Sequence, residues 1–134
     1  MSSRVPSQEL LAVLEAYATI GSPGLQPIGK APHYRQIRPQ GWPSGLHYEF
    51  IRTADAIGVE IHIESAAAAS VVSTVEAFAR RELPFCSQRL QWDPRWTYGP
   101  RLYAKFPLGT PPEKVASAMQ ALIEMTFKSI TLAL

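Results

Sequence analysis

The stretch from residue 46 to residue 64 constrains this chain more than any other. Leu46, Tyr48 and Phe50 alternate with His47, Glu49 and Ile51, and Ile57, Val59, Ile61 and Ile63 alternate with Gly58, Glu60, His62 and Glu64. Successive side chains of a strand point to opposite sides of a sheet, so a period of two marks strands with one buried face. Thr53-Ala54-Asp55-Ala56 supplies the turn between them. With the turn centred between Ala54 and Asp55, His47 falls opposite His62 and Glu49 opposite Glu60. The apolar face of such a hairpin must be covered by another layer.

Helices flank it. Residues 7–20 carry Leu10, Leu11, Leu14, Tyr17 and Ala18 at helical spacing, with Ser7 as N-cap and Glu9 in the first turn. Gly21-Ser22-Pro23-Gly24 stops that helix. Ser65 is expected to cap a second helix over 66–83, with Val71, Val72, Val75, Phe78 and Ala79 on one face and Pro84 at its end. Thr110-Pro111-Pro112-Glu113 reads as a capping box opening a last helix, along which Val115, Met119, Leu122, Ile123, Thr126 and Ile130 repeat.

Three shorter strands complete the pattern, around residues 34–38, at Leu90 and Trp92, and at Leu102, Ala104 and Phe106. The resulting order is α-β-β-β-α-β-β-α. It predicts an α+β fold, a two-layer sandwich with an antiparallel sheet and helices on one face, as a single domain over residues 1–134. Composition agrees: 46% hydrophobic and 18% charged residues exclude a disordered chain. The single cysteine, Cys86, excludes an intramolecular disulfide. The opening Met1-Ser2-Ser3-Arg4-Val5-Pro6 lacks an apolar signal core, and no apolar run has the roughly 20 residues of a membrane span. A cytoplasmic protein with no membrane partner is the expectation. A net charge of +2 gives little support for nucleic-acid binding, which calls for a concentrated basic patch.

The element order and length resemble the fold of type III secretion chaperones, small homodimers that hold an unfolded segment of an effector. Residues 41–134 also resemble an uncharacterised family of bacterial domains often found beside nuclease-like modules. That resemblance rests on Gly45-Leu46-His47-Tyr48, Gly58-Val59-Glu60-Ile61-His62-Ile63 and Leu90-Gln91-Trp92. The first implies a homodimer that binds a protein or peptide without catalysis. The second implies an accessory role in nucleic-acid processing or phage defence. Neither supplies catalytic residues.

Two constellations carry chemistry. On the polar face of the hairpin, His47, His62, Glu49 and Glu60 are competent ligands for zinc or another borderline divalent ion, with Glu64 further along the same face. Alternation alone does not supply a zinc spacing. The expected state is therefore a solvated face without metal, its carboxylates balanced by Arg89, Arg101 and Lys105. The loop from Asp93 to Pro100 and its flank hold Trp96, Tyr98, Arg95, Arg101 and Tyr103, aromatic and arginine types that dominate binding hot spots. These five are the candidate partner-binding residues. Cys86 lacks a visible base and is expected to be an inert thiol. The chain has no G-x-S-x-G, P-loop, G-x-G-x-x-G or C-x-x-C motif. No cofactor and no catalytic residue are expected. The leading expectation is a protein- or peptide-binding module that forms a homodimer. The rivals are the nucleic-acid accessory role and a metal-dependent enzyme using the hairpin face.

Overall fold

The computed structural model describes residues 7–134; residues 1–6, read above as lacking a signal core, lie outside the described residues. A helix, α1 (Gln8–Ile20), precedes three strands, β1 (Tyr34–Ile37), β2 (Leu46–Arg52) and β3 (Ala56–Ile63). A short 3₁₀ helix (Ala66–Val71) runs into α2 (Val72–Glu76), followed by β4 (Gln91–Asp93), β5 (Arg101–Pro107) and α3 (Pro112–Ala133). The strands form one antiparallel sheet in the order β1-β2-β3-β5-β4. The α+β class and the element order agree with the sequence. The hairpin register does too, with His47 opposite His62 and Glu49 opposite Glu60.

The apolar side of the sheet carries the core. Tyr48, Phe50, Val59, Ile61, Leu102 and Ala104 are fully buried there. Helices α1 and α3 cover them. Tyr17 of α1 meets Phe50 edge to face at 5.5 Å, and Thr126 of α3 hydrogen-bonds the hydroxyl of Tyr48 at 2.9 Å. All six residues of the α3 stripe are buried. In α1 the inward residues are Leu10, Val13 and Tyr17, with Leu11 and Ala18 exposed, so the stripe is rotated from its expected position. Among the described residues, no helix is long and apolar enough to cross a membrane.

Two helix expectations are corrected. The second helix does not run over 66–83. Only Val72–Glu76 is α-helical, and Ala66–Val71 before it winds as a 3₁₀ helix. The chain then leaves helical geometry at Arg80, whose φ is 72°. There the Arg80 amide donates to the carbonyl of Leu90 at 2.7 Å, and Leu90 donates back to Arg81 at 2.8 Å. Pairing with the segment before β4 thus replaces the last helical turns. Ser65 does not cap either: its hydroxyl donates to the carbonyl of Ser44 at 2.6 Å. At α3, Pro111 holds the cap position, and the Thr110 hydroxyl donates to the carbonyl of Pro107 at 2.7 Å. The threonine closes the turn after β5 instead of capping the helix. Ser7 does cap α1, accepting from the amide of Leu10 at 3.2 Å.

Candidate metal centre on the outer sheet face

The alternation that sends Tyr48 and Ile61 into the core sends the intervening residues to the opposite side of the sheet. Directly opposed residues share a face, so two rows of side chains cross it. His47, His62, Arg101 and Asp93 make one row, and Gln36, Glu49, Glu60, Tyr103 and Gln91 make the next. Glu64 follows His62 by two residues and continues the same face beyond the end of β3.

This face is not solvated at its centre, which corrects the expectation from sequence. Glu60 and His62 are 0% exposed, His47 3% and Glu49 4%. The cover is the connection between β4 and β5. It folds back over the sheet, anchored where Ile63 donates its amide to the carbonyl of Pro100 at 3.0 Å. Gly99, with φ of 131°, lies so close to the carbonyl of Ile63 that a Cβ would collide with it. The Trp96 ring then lies over His62 at 4.3 Å, with Tyr98 edge-on to Trp96 at 5.1 Å. Of the three cations expected to balance the carboxylates, Arg101 does so. Lys105 lies over the ring of Tyr103 at 5.6 Å, and Arg89 donates to the carbonyl of Arg80.

Under this cover, nitrogens and oxygens alternate in a closed ring. The Oε1 atom of Glu49 lies 3.1 Å from Nε2 of His47 and 3.3 Å from Nδ1 of His62. The Oε2 atom of Glu64 lies 3.8 Å and 3.1 Å from the same two nitrogens. All four donor groups fall within 4.8 Å of one another. A tetrahedral zinc ion with bonds of about 2.0–2.1 Å has ligand-to-ligand edges of about 3.4 Å. Four of the six donor pairs, at 3.1–3.8 Å, bracket that length, and the other two lie within 4.8 Å.

Glu60, one of the four candidate ligands in the sequence, is turned elsewhere in the structure. Oε1 of Glu60 accepts from Nε2 of His62 at 2.7 Å, and both of its oxygens accept from Arg101, at 3.1 and 3.3 Å. Glu64 takes its place in the ring. The available signal was its spacing of two from His62, which keeps the parity of the face after the strand has ended.

The ring concentrates negative charge beside two imidazoles. Burial opposes ionisation of Glu49, but hydrogen bonds from His47 and His62 outweigh it and hold the carboxyl down at about 2. Burial likewise opposes charge on His62, and its contacts with Glu49, Glu60 and Glu64 prevail, raising it to about 10. The site is built to hold positive charge between its carboxylates.

The five aromatic and arginine candidates do not form one exposed patch. Arg95 and Tyr98 are exposed, Tyr98 at 65%. Trp96 and Tyr103 are half-buried. Arg101 is largely buried, 4.8 Å above Trp96 and 4.2 Å above Tyr103, and paired with Glu60 and Asp93. Cys86 is buried, and burial pushes its thiol up. Compared with protein-family models, curated proteins and solved structures, the chain matches none.

Proposed function

We propose that this domain binds one divalent ion of the zinc class through His47, Glu49, His62 and Glu64, and that the ion stabilises the fold and does no chemistry. The observation that carries this reading is the alternating ring of two imidazole nitrogens and two carboxylate oxygens, all within 4.8 Å of one another. Four protein donors fill a tetrahedral shell, whereas catalytic zinc keeps a position for water or substrate. Three of the four donor residues are buried, and Trp96 closes the roof. The ion would tie β2 to β3 and to the chain just beyond it. The test is calorimetric titration of zinc and cobalt into metal-stripped protein. A stoichiometry of one, lost in His47→Ala and in His62→Ala, supports the reading. Absence of saturable binding by either ion in the wild type overturns it and leaves a hydrogen-bonded charge network.

A second reading, self-association of a non-enzymatic binding module, is favoured by Phe85. Its side chain is fully exposed and its φ is 65°, a left-handed conformation in which bulky residues are strained. It borders a cavity of about 730 Å³ that Ile20, Ala121 and Met125 also line. A ring and an apolar recess on one surface suit two-fold pairing, the commonest symmetry of soluble oligomers. Sedimentation equilibrium of wild type and Phe85→Glu decides it. A dimer that becomes monomeric in the variant supports the reading, and a monomeric wild type removes it.

A further inference from the structure

Gly58 sits inside β3, paired with Ile51 on one side and Lys105 on the other. Glycine weakens the interior of a strand, and it often marks a place where another group comes close. Here that group is the carboxylate of Glu60, two residues along on the same face. A Cβ at position 58 would collide with Oε2 of Glu60 and stand 3.1 Å from its carboxyl carbon. The space a side chain would occupy is taken by the Glu60 head group.

Folded back in this way, Glu60 meets two partners at once. It accepts from Nε2 of His62 at 2.7 Å and from Arg101 at 3.1 Å. Arg101 is in turn held beside Asp93 at 3.6 Å, with its guanidinium against the Trp96 ring that covers His62. An imidazole that binds a metal through one nitrogen almost always donates the other N–H to a carboxylate or carbonyl, which sets the tautomer and aims the ring. The second nitrogen of His62, Nδ1, is the one that faces Glu49 and Glu64.

We propose that Gly58, Glu60 and Arg101 are the outer shell of the metal centre, with Glu60 holding His62 so that Nδ1 ligates the ion. The proposal rests on the metal-binding reading above. Arg101 balances the charge of Glu60 and draws it away from the ion. Gly58 provides the room without which Glu60 cannot reach His62. All three are positioning residues, since none of them contributes a ring atom.

The test measures cobalt affinity in metal-stripped wild type, Glu60→Gln, Glu60→Ala, Gly58→Ala and the Gly58→Ala/Glu60→Ala double variant, with circular dichroism confirming the fold of each. Loss of an outer-shell partner weakens metal binding by roughly 10–100-fold, and that loss is expected for Glu60→Gln and Gly58→Ala. Because Gly58 acts through Glu60, the double variant should bind no more weakly than Glu60→Ala alone. Nitrogen chemical shifts of the zinc-loaded wild type should show His62 bound through Nδ1 and protonated at Nε2. If wild type binds cobalt and both single variants bind it equally well, the outer shell is wrong and the metal centre stands. Additive losses in the double variant would remove Gly58 from the proposal. Ligation of His62 through Nε2 would remove Glu60. A wild type that binds neither cobalt nor zinc eliminates the metal centre and its outer shell together.

Discussion

His47 and His62 face each other across β2 and β3 with ring centroids 5.3 Å apart, and a single oxygen of Glu49 lies within 3.3 Å of a nitrogen on each. The buried carboxylate favours positive charge on the His62 side of this pair. A proton or a metal ion can supply it, and the two make opposite demands on pH.

The metal-stripped protein should therefore lose stability as the solution becomes alkaline. His62 has a folded value of about 10 against an ordinary 6.5, so its contribution is complete below 6.5 and is lost as pH rises through 10. Glu49, held at about 2 against 4.5, contributes fully above 4.5 and loses that contribution as pH falls through 2. The plateau of the stripped protein then lies between 4.5 and 6.5. On the proposed metal-binding reading, zinc takes the place of the proton, and the loaded protein should hold its stability into mildly alkaline solution. Urea midpoints measured across this range with and without zinc test the pair. Parallel curves would show that zinc and the proton do not compete for this ring.

Arg101→Ala should be among the costliest substitutions outside the core. It leaves the fully buried Glu60 without its guanidinium partner and removes the cation stacked on Trp96. Breaking a buried ion pair from one side costs about 3–5 kcal/mol, and the retained bond to His62 favours the lower end. Denaturant melts measure the loss. A shift no larger than that of an exposed pair would mean that solvent reaches Glu60.

Two threonine and serine positions separate a cap from a turn. Ser7→Ala should lower stability by about 1 kcal/mol, because Ser7 accepts from the amide of Leu10 at the start of α1. Thr110→Ala should cost less, since the Thr110 hydroxyl only adds to a carbonyl of Pro107 that already accepts the Thr110 amide. Unfolding midpoints of the two variants, compared directly, decide the order.

Val59→Asp should abolish folding. Val59 is fully buried between Phe50 and Ala104 on the covered side of the sheet, where a carboxylate has no partner and costs several kcal/mol. Circular dichroism gives the answer. A folded Val59→Asp protein would contradict the face assignment of β3.

Much of the sheet was legible in the sequence because period-two alternation assigns sides. The placing of Tyr48, Phe50, Val59 and Ile61 inward, and of His47, Glu49, Glu60 and His62 outward, follows from parity alone. The turn at residues 53–56 then settled which outward residues oppose each other. The extent of the second helix is not legible, because its apolar spacing continues while Arg80 and Arg81 pair with the strand-like segment at Leu90. Thr110 carried a capping pattern that its turn bond to Pro107 overrides.

What the sequence determined by itself is the sidedness and register of the hairpin, and hence the meeting of His47 with His62 and Glu49 with Glu60. What only the tertiary structure decided is that this polar face is buried and which carboxylates complete the ring. Parity says to which side a residue points and nothing about what lies above that side. The cover arrives from Trp96, 34 positions beyond His62 in the chain, and its ring lies over the His62 imidazole. Glu60 pairs with Arg101 while Glu64 lies beside His47 and His62, and the pairing with Arg101 exists only once β5 lies against β3.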